Sequence, residues 1–441
     1  MSHTIKSGKD QFLMGVIYKA LFMFVTSLNA LIVVKLLTPE ELGVWYIFMA
    51  LQTLLFILNN ALTPNISRQY SIAFTEHGDA FNPRLFHSKI LSIYNRIIFL
   101  AVCIGIIFTV TYLNFVVHIF SNGNLTVLFS WMIIFISILM EIYFTSYECA
   151  LNGVGEFKKV NKVNFISRLF LTISVCGLLF FHVGNYGLLF FCGMYFFCNI
   201  IKRMMVVSLF NSTFKDNNVT DSQTTLSFYE QIKFQLRKLS FLSFLSSIGG
   251  VLIVRSGMFI LPFYVSMEQV ASYGLTYQLY ELGFNVIFTL AIIATPTWIA
   301  AYRNNADRLR KSYVLIKYTS LILMMICGLI ISFLGNYFVD MAKIETRLQP
   351  TILCVYLMLI FVFQLNHSIS GQLLTIQNKI PFAYASFISG IITLLLSILL
   401  IKHYAISGAI YAILISQLVY NNWKWPYEAY KFLRERIHVR T

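Results

Sequence analysis

Long apolar runs, separated by short polar and charged stretches, dominate the pattern of the chain. A helix that crosses a bilayer needs about 20 predominantly apolar residues, and most of the runs reach that length. Charges and turn residues between the runs predict spans at 11–37, 44–63, 90–112, 126–150, 164–182, 186–210, 241–263, 270–299, 313–335, 350–371, 382–401 and 404–420. The pattern therefore predicts an all-α polytopic membrane protein with about twelve transmembrane helices.

The longest connection between spans, residues 211–240, divides the chain near its middle. Its second part would place an apolar face on one side of a helix, formed by Leu226, Tyr229, Ile232, Leu236 and Leu239. Such a helix is expected at the membrane interface, leading into the seventh span. We therefore predict a six-helix bundle at 1–210, a linker at 211–240, a second six-helix bundle at 241–420 and a basic tail at 421–441.

Composition excludes a soluble globular enzyme. Of the 441 residues, 58% are hydrophobic and 12% are charged, against roughly 45–50% and about 25% in ordinary soluble domains. The formal charge of +15 would suggest a nucleic-acid partner in a soluble protein. In a membrane protein such an excess marks cytoplasmic loops, so no nucleic-acid partner is expected.

The distribution of Lys and Arg predicts the orientation. With the N-terminus inside, 24 of the 33 basic residues fall on the inner side and three fall outside, namely Lys343, Arg347 and Lys402. The remaining six lie within spans. Under the positive-inside rule, both termini are expected in the cytoplasm.

Weak self-similarity relates the two halves. The sequence NKVNF at 161–165 returns as NKIPF at 378–382, and ALTP ending at Pro64 returns as IATP ending at Pro296. Each half contains six spans and so enters the membrane in the same orientation. We therefore expect a pseudo-two-fold axis along the membrane normal and a central cavity between the halves.

Two stretches resemble bacterial polysaccharide transporters. The turn before the second span matches at Leu37, Pro39, Glu40, Glu41, Gly43 and Trp45, and Pro64 and Arg68 keep the end of that span. The stretch from Leu239 to Leu279 is similar to the seventh span, turn and eighth span of the same family. The chain departs from the family at Asn59, Asn60 and Ala61, which replace Asp and Gly, and at Gly257 and Met258, which replace Asp and Arg.

The resemblance implies the O-antigen flippases of the multidrug/oligosaccharidyl-lipid/polysaccharide (MOP) exporter superfamily. It implies a monomer in the bacterial inner membrane that moves an undecaprenyl-pyrophosphate-linked oligosaccharide to the periplasmic leaflet by alternating access. A polysaccharide polymerase and chain-length proteins are candidate partners. The family lines its cavity with spans one, two, seven and eight.

Charged residues inside spans are the first candidates for a site, because burying a charge in hydrocarbon is costly. By the helical rise, Lys19, Glu141, Arg255 and Glu281 lie deep, roughly 12 Å or more from water. Arg96, Arg168 and Lys317 lie nearer the cytoplasmic edge and Lys35 nearer the outer one, where they are expected to snorkel; Glu148 is expected near the inner edge.

Polar residues at helical spacing accompany the deep charges. The predicted substrate-binding residues, for pyrophosphate and sugar, are Arg255, Lys19, Gln52, Asn59, Ser247, Tyr277 and Asn285. The predicted ion-coupling residues are Glu281 and Glu141. Two alternatives remain open at this stage. The polar residues would join helices by hydrogen bonds, or Arg255 would form an ion pair with Glu281 or Glu141.

No cofactor or metal site is predicted from the sequence. It contains no Walker A loop, no catalytic set and no metal-ligand spacing, so H⁺, Na⁺ or the membrane potential is the expected energy source. His367 is interpreted as a packing residue. The rival functions are a multidrug antiporter, which would favour acidic cavity residues, and a membrane O-antigen polymerase or glycosyltransferase, which would need a long external loop. A major-facilitator transporter lacks support, because its signature between spans two and three is absent.

Overall fold

The computed structural model describes residues 9–78, 81–117, 125–180, 186–215, 222–376 and 380–438. All regular structure in these ranges is helical, as the sequence predicts. The helices are α1 (Lys9–Leu36), α2 (Pro39–His77), α3 (Pro83–Phe108), α4 (Asn114–Val117), α5 (Leu125–Gly153), α6 (Phe157–Phe180), α7 (Gly187–Thr213), α8 (Ser222–Ile260), α9 (Met267–Asn304), α10 (Ala306–Met341), α11 (Thr351–Thr375), α12 (Ala383–Ser416) and α13 (Asn422–His438). A π-helical turn, Thr109–Leu113, joins α3 to α4.

Eleven segments of the described chain are long and apolar enough to cross a membrane. The protein is thus the multi-pass all-α membrane protein that the hydrophobic pattern predicts. Ten of the segments match single predicted spans. The last segment, Ala383–Glu435, contains both of the spans predicted at 382–401 and 404–420.

Helix α12 folds back on itself inside this last segment. Ala405 has φ 48° and ψ −126°, which is not helical. Asn421 Nδ2 donates a hydrogen bond of 3.1 Å to Ser389 Oγ, 32 residues earlier, although a straight helix would separate those residues by about 48 Å. A Cβ at Gly408 would lie 2.3 Å from the carbonyl oxygen of Leu400, so only glycine fits where the chain returns. The segment therefore forms two antiparallel arms, as the two predicted spans require.

The chain packs into two compact units. The first contains Met1–Leu37 and Leu51–Phe244, and the second contains Thr38–Ala50 and Leu245–Thr441. Helices α2 and α8 therefore each contribute residues to both units. Trp131, Tyr70 and Tyr94 are among the largest fully buried side chains of the first unit.

Local polar signals fix where several helices begin. Asn82 caps α3 by accepting a hydrogen bond from the backbone N–H of Leu85 at 3.0 Å, and Pro83 occupies the first turn. Ser266 and Gln269 form a reciprocal capping box at the start of α9. Asn305 separates α9 from α10 and caps α10 through the N–H of Arg308 at 2.9 Å. Each cap satisfies backbone donors that a helix start otherwise leaves unpaired.

The predicted interfacial helix is continuous with the seventh span, because α8 runs unbroken from Ser222 to Ile260. Its packed face also differs in part from the predicted one. Ile232 is buried as expected, but Leu226 is exposed, and the other buried residues of this part of the helix are Thr225 and Phe228. The reason is tertiary, since Phe228 contacts the aromatic rings of Phe81 and Phe86 from another part of the first unit. The side chains of Leu236 and Leu239 lie outside the described residues.

Candidate functional site

Four charged side chains meet inside the first unit and are called here the four-charge cluster: Glu141 and Glu148 from α5, and Lys202 and Arg203 from α7. Arg203 Nη1 lies 2.7 Å from Glu148 Oε1, and Arg203 Nη2 lies 3.2 Å from Glu141 Oε1. Lys202 Nζ lies 3.1 Å from Glu148 Oε1. Only 2% of the Arg203 side chain is exposed. The cluster is neutral in sum and joins α5 to α7.

The sequence places Lys202 and Arg203 among the inner-side basic residues and Glu148 near the inner edge. The structure adds that these three side chains are paired with one another and largely shielded from solvent. Helix α7 continues to Thr213, so Arg203 lies about 15 Å along the helix from that end. The spacing of seven between Glu141 and Glu148 puts both acids on one face of α5 and was a signal for paired cations.

Gln52 and Asn59 take part in hydrogen bonds between helices. Gln52 Nε2 donates to the hydroxyl of Tyr195 at 3.3 Å, and Asn59 Nδ2 donates to Thr145 Oγ1 at 3.3 Å. The amide oxygens of Gln52 and Asn59 are buried and have no hydrogen-bond partner among the described residues. Each amide therefore joins helices through its nitrogen and retains one free acceptor.

Arg168 and Lys19 bring positive charge to the same unit. The Arg168 guanidinium lies 5.5 Å from the ring centroid of Phe22 and 5.9 Å from that of Tyr195, positions in which a cation is attracted to the ring faces. Lys19 is half-buried on α1. Within the described part of the chain, neither cation forms an ion pair with a carboxylate.

An ion pair between α8 and α9 is the main charged feature of the second unit. Arg255 Nη2 donates to both carboxylate oxygens of Glu281, at 2.9 and 3.0 Å. The Arg255 guanidinium also lies 5.8 Å from the centroid of the Tyr277 ring. Of the two partners considered for Arg255, the structure pairs it with Glu281 and pairs Glu141 with Arg203.

Tyrosines surround this ion pair. Tyr277 is 1% exposed, and Tyr46 donates its hydroxyl to Gln278 Oε1 at 2.7 Å. The hydroxyl of Tyr273 is buried without a partner among the described residues. The predicted polar stripe on α9 is divided, since Tyr277 is buried and Asn285 is exposed. Ser247 on α8 is half-buried.

Lys317 does not snorkel, contrary to the expectation from its position. It is 3% exposed, and its ammonium donates to the Tyr313 hydroxyl and to Ser370 Oγ, both at 3.3 Å. The Tyr430 ring lies 5.3 Å from the ammonium. Helix α13, which carries Tyr430, covers the side chain, so sequence position alone could not reveal the burial.

Among the described residues, no group of three or more His, Cys, Asp and Glu side chains converges. His367 Nδ1 lies 3.0 Å from the carbonyl oxygen of Phe363 in its own helix. This contact agrees with the interpretation of His367 as a packing residue.

Comparison with known proteins yields structural likeness only. No family model and no curated protein matches the sequence. The structure is similar to an inward-facing multidrug resistance MATE family transporter of the MOP superfamily, with a TM-score of 0.64, 14% identity and coverage of 96% of both chains. It is also similar to the lipid II flippase MurJ in an inward closed conformation, with a TM-score of 0.67, 14% identity and coverage of 96% of this chain and 88% of the other. The protein therefore has the fold of these transporters.

Proposed function

We propose that this protein is a flippase that moves an undecaprenyl-pyrophosphate-linked oligosaccharide, an O-antigen repeat unit, from the cytoplasmic to the periplasmic leaflet. It would act by alternating access in the inner membrane of a bacterium, with both termini in the cytoplasm. The fold shared with a lipid II flippase supports transport of a lipid-linked substrate. The balance of intramembrane charge supports an anionic one.

That charge balance is the observation that carries the proposal. The three acidic residues that fall within the predicted spans, Glu141, Glu148 and Glu281, are all in ion pairs with cations. Lys19 and Arg168 have no acidic partner among the described residues, and both remain partly exposed. An unpaired cation in hydrocarbon is costly unless it serves an anion or a polar cavity. Pyrophosphate, which binds guanidinium and ammonium groups through charge-assisted hydrogen bonds, is an anion of the required kind.

A multidrug transporter is the second candidate, because the MATE family transporter has a closely similar TM-score. A cationic drug would favour free carboxylates in the membrane, whereas Glu141, Glu148 and Glu281 are all paired with cations. Lipid-linked cargo is therefore the better match to the charges. A membrane polymerase or glycosyltransferase gains no support from these neighbours.

The Arg255–Glu281 pair suggests how cargo and drive are coupled. A pyrophosphate that engages the planar fork of Arg255 would displace the Glu281 carboxylate, which could then take up H⁺ or Na⁺. Glu141 shares Arg203 and would act in the same way in the first unit. Membrane potential acting on the anionic cargo is an alternative drive.

Complementation tests the proposal. The gene is expressed in a bacterium that lacks its own O-antigen flippase, and surface polysaccharide and lipid-linked repeat units are measured. We expect surface display to return in the presence of the wild-type chain. Arg168→Gln and Lys19→Gln should each lower display at least tenfold and cause repeat units to accumulate in the inner leaflet.

Lys162→Gln is the matched control, since Lys162 lies on the same helix as Arg168 but is exposed. It should display polysaccharide at the wild-type level. Ethidium resistance is measured in the same strains. Ethidium efflux by the wild-type chain, with no return of display, would replace the proposal by the multidrug function.

A further inference from the structure

A groove of about 540 Å³ lies in the first unit, apart from the charged clusters described above. Helices α2, α3 and α8 line it mainly with apolar side chains, among them Leu62, Ile97 and Phe244. Its volume falls in the range of small-molecule sites, roughly 300–1,000 Å³. The groove therefore has room for a single lipid chain.

Few polar side chains line the groove, and those that carry a charge are basic. Arg96 and Lys233 are the basic lining residues, and no acidic residue contributes to the lining. Arg96 has no ion-pair partner in the described ranges, whereas Lys233 pairs with Glu230 at 3.0 Å. The Ser240 hydroxyl is buried and has no hydrogen-bond partner among the described residues. Counting Glu230, the groove carries a net formal charge of +1.

Along α8, the groove has a basic residue at one end and apolar residues beyond it, an order that matches the headgroup and acyl chain of a lipid. Lys233 precedes the apolar segment Ser240–Phe263 by seven residues, and Phe241 and Phe244 lie in its first turns. Seven residues correspond to about 10 Å along a helix, the distance from a headgroup level into the hydrocarbon. Phe241 and Leu100 remain 55% and 45% exposed, so the apolar wall is open on the protein's own surface.

We propose that this groove binds one anionic phospholipid, with an acyl chain along α3 and α8 and the phosphate at Arg96 and Lys233. A phosphodiester carries one negative charge, which matches the net charge of +1, whereas a polyprenyl pyrophosphate carries more. The guanidinium of Arg96 supplies paired donors for phosphate oxygens. Binding does not require the transport proposed above, so this site and that function can fail separately.

Native mass spectrometry of the full-length protein tests the proposal. The protein is released from nanodiscs that contain phosphatidylcholine with phosphatidylglycerol as a minor component. Wild-type protein should retain one phosphatidylglycerol at least tenfold more often than its share of the nanodisc predicts. Arg96→Gln and Lys233→Gln should each lower that retention at least fivefold.

Two further variants separate a built site from a general lipid belt. Arg84→Gln removes an equal charge from an exposed position of the same helix outside the groove, and it should leave retention unchanged. Ser92→Trp fills the groove from an exposed position whose hydroxyl bonds only within its own helix, to the Lys89 carbonyl, and it should expel the lipid. If the charge variants aggregate, Ser92→Trp still decides, with monodisperse elution as the measure of folding.

The site would be overturned by equal retention of phosphatidylcholine, by equal loss in Arg84→Gln, or by unchanged retention in Ser92→Trp. Undecaprenyl phosphate that displaces phosphatidylglycerol when added at equal amount would also overturn it, since the occupant would then be a polyprenyl lipid.

Discussion

Arg203 shows at the scale of one residue how much depends on a buried charge. Removing one partner of a buried pair typically costs about 3–5 kcal/mol, because the other charge is left uncompensated. Arg203→Met would leave Glu141 and Glu148 with only Lys202. We expect a fall of several degrees in the thermal midpoint of the detergent-solubilised protein, measured by fluorescence-detected size exclusion.

The control for this prediction is Lys159→Gln, which breaks an ion pair whose lysine is 54% exposed. Exposed pairs contribute only about 0–1 kcal/mol, so the midpoint should stay within a degree of wild type. Equal midpoints for Arg203→Met and wild type would show that the four-charge cluster does not stabilise the fold.

The Arg255–Glu281 pair allows a structural role to be separated from cargo binding. Arg255→Ala alone should lower both membrane abundance and polysaccharide display, because Glu281 loses its partner. The exchange Arg255→Glu with Glu281→Arg restores the pair in reverse. If Arg255 also binds the cargo phosphates, we expect the exchange to restore abundance to at least half of wild type while display stays at least tenfold lower. Recovery of both would assign the pair to structure alone.

At the scale of elements, neighbouring glycines on α8 make a sharp comparison. A Cβ at Gly249 would lie 2.2 Å from the carbonyl oxygen of Ser386 on α12, whereas a Cβ at Gly250 meets nothing within 4 Å. At Gly249 the cost of overpacking, roughly 1–3 kcal/mol, opposes the preference of a helix for alanine over glycine, about 1 kcal/mol. Because the clash is with a backbone oxygen, we expect overpacking to prevail and Gly249→Ala to lower the thermal midpoint.

Gly250→Ala should leave the midpoint unchanged or raise it slightly. Both variants are measured in the same detergent at equal abundance. A stabilised Gly249→Ala protein would mean that α8 and α12 do not approach as closely as the structure indicates.

The return of α12 at Ala405 has a consequence for the whole molecule. Lys402, beside the return, and Lys343, between α10 and α11, are both exposed. With two arms in α12, we expect these residues on one side of the membrane and Lys159, in the first turn of α6, on the other. Single cysteines at the first two positions should react with an impermeant maleimide added from the periplasm.

Lys159→Cys should react only after the cytoplasm is opened. The seven native cysteines, four of them buried, are first replaced. Protection of Lys402→Cys from both sides would indicate one continuous span there, and labelling of Lys159→Cys from the periplasm would contradict the predicted orientation.

The sequence by itself determined that this is a membrane protein, that it is all-helical and where along the chain its spans lie. These follow from local properties, because about 20 apolar residues suffice for a crossing and no partner is needed to recognise them. The sequence also predicts that Arg255, Glu281 and Glu141 lie deep, since depth is estimated from position along a span.

Only the tertiary structure shows which partners the charged side chains have and which of them are buried. Glu148 and Arg203 are 55 residues apart in the chain and become partners only because α5 packs beside α7. Lys317 is buried because α13, more than a hundred residues later, returns to cover it with Tyr430. The sequence of a single helix gives the position of a charge along the helix and the face on which it lies. Tertiary packing determines which other helix meets that face, and therefore whether the charge is paired, covered or without an acidic partner.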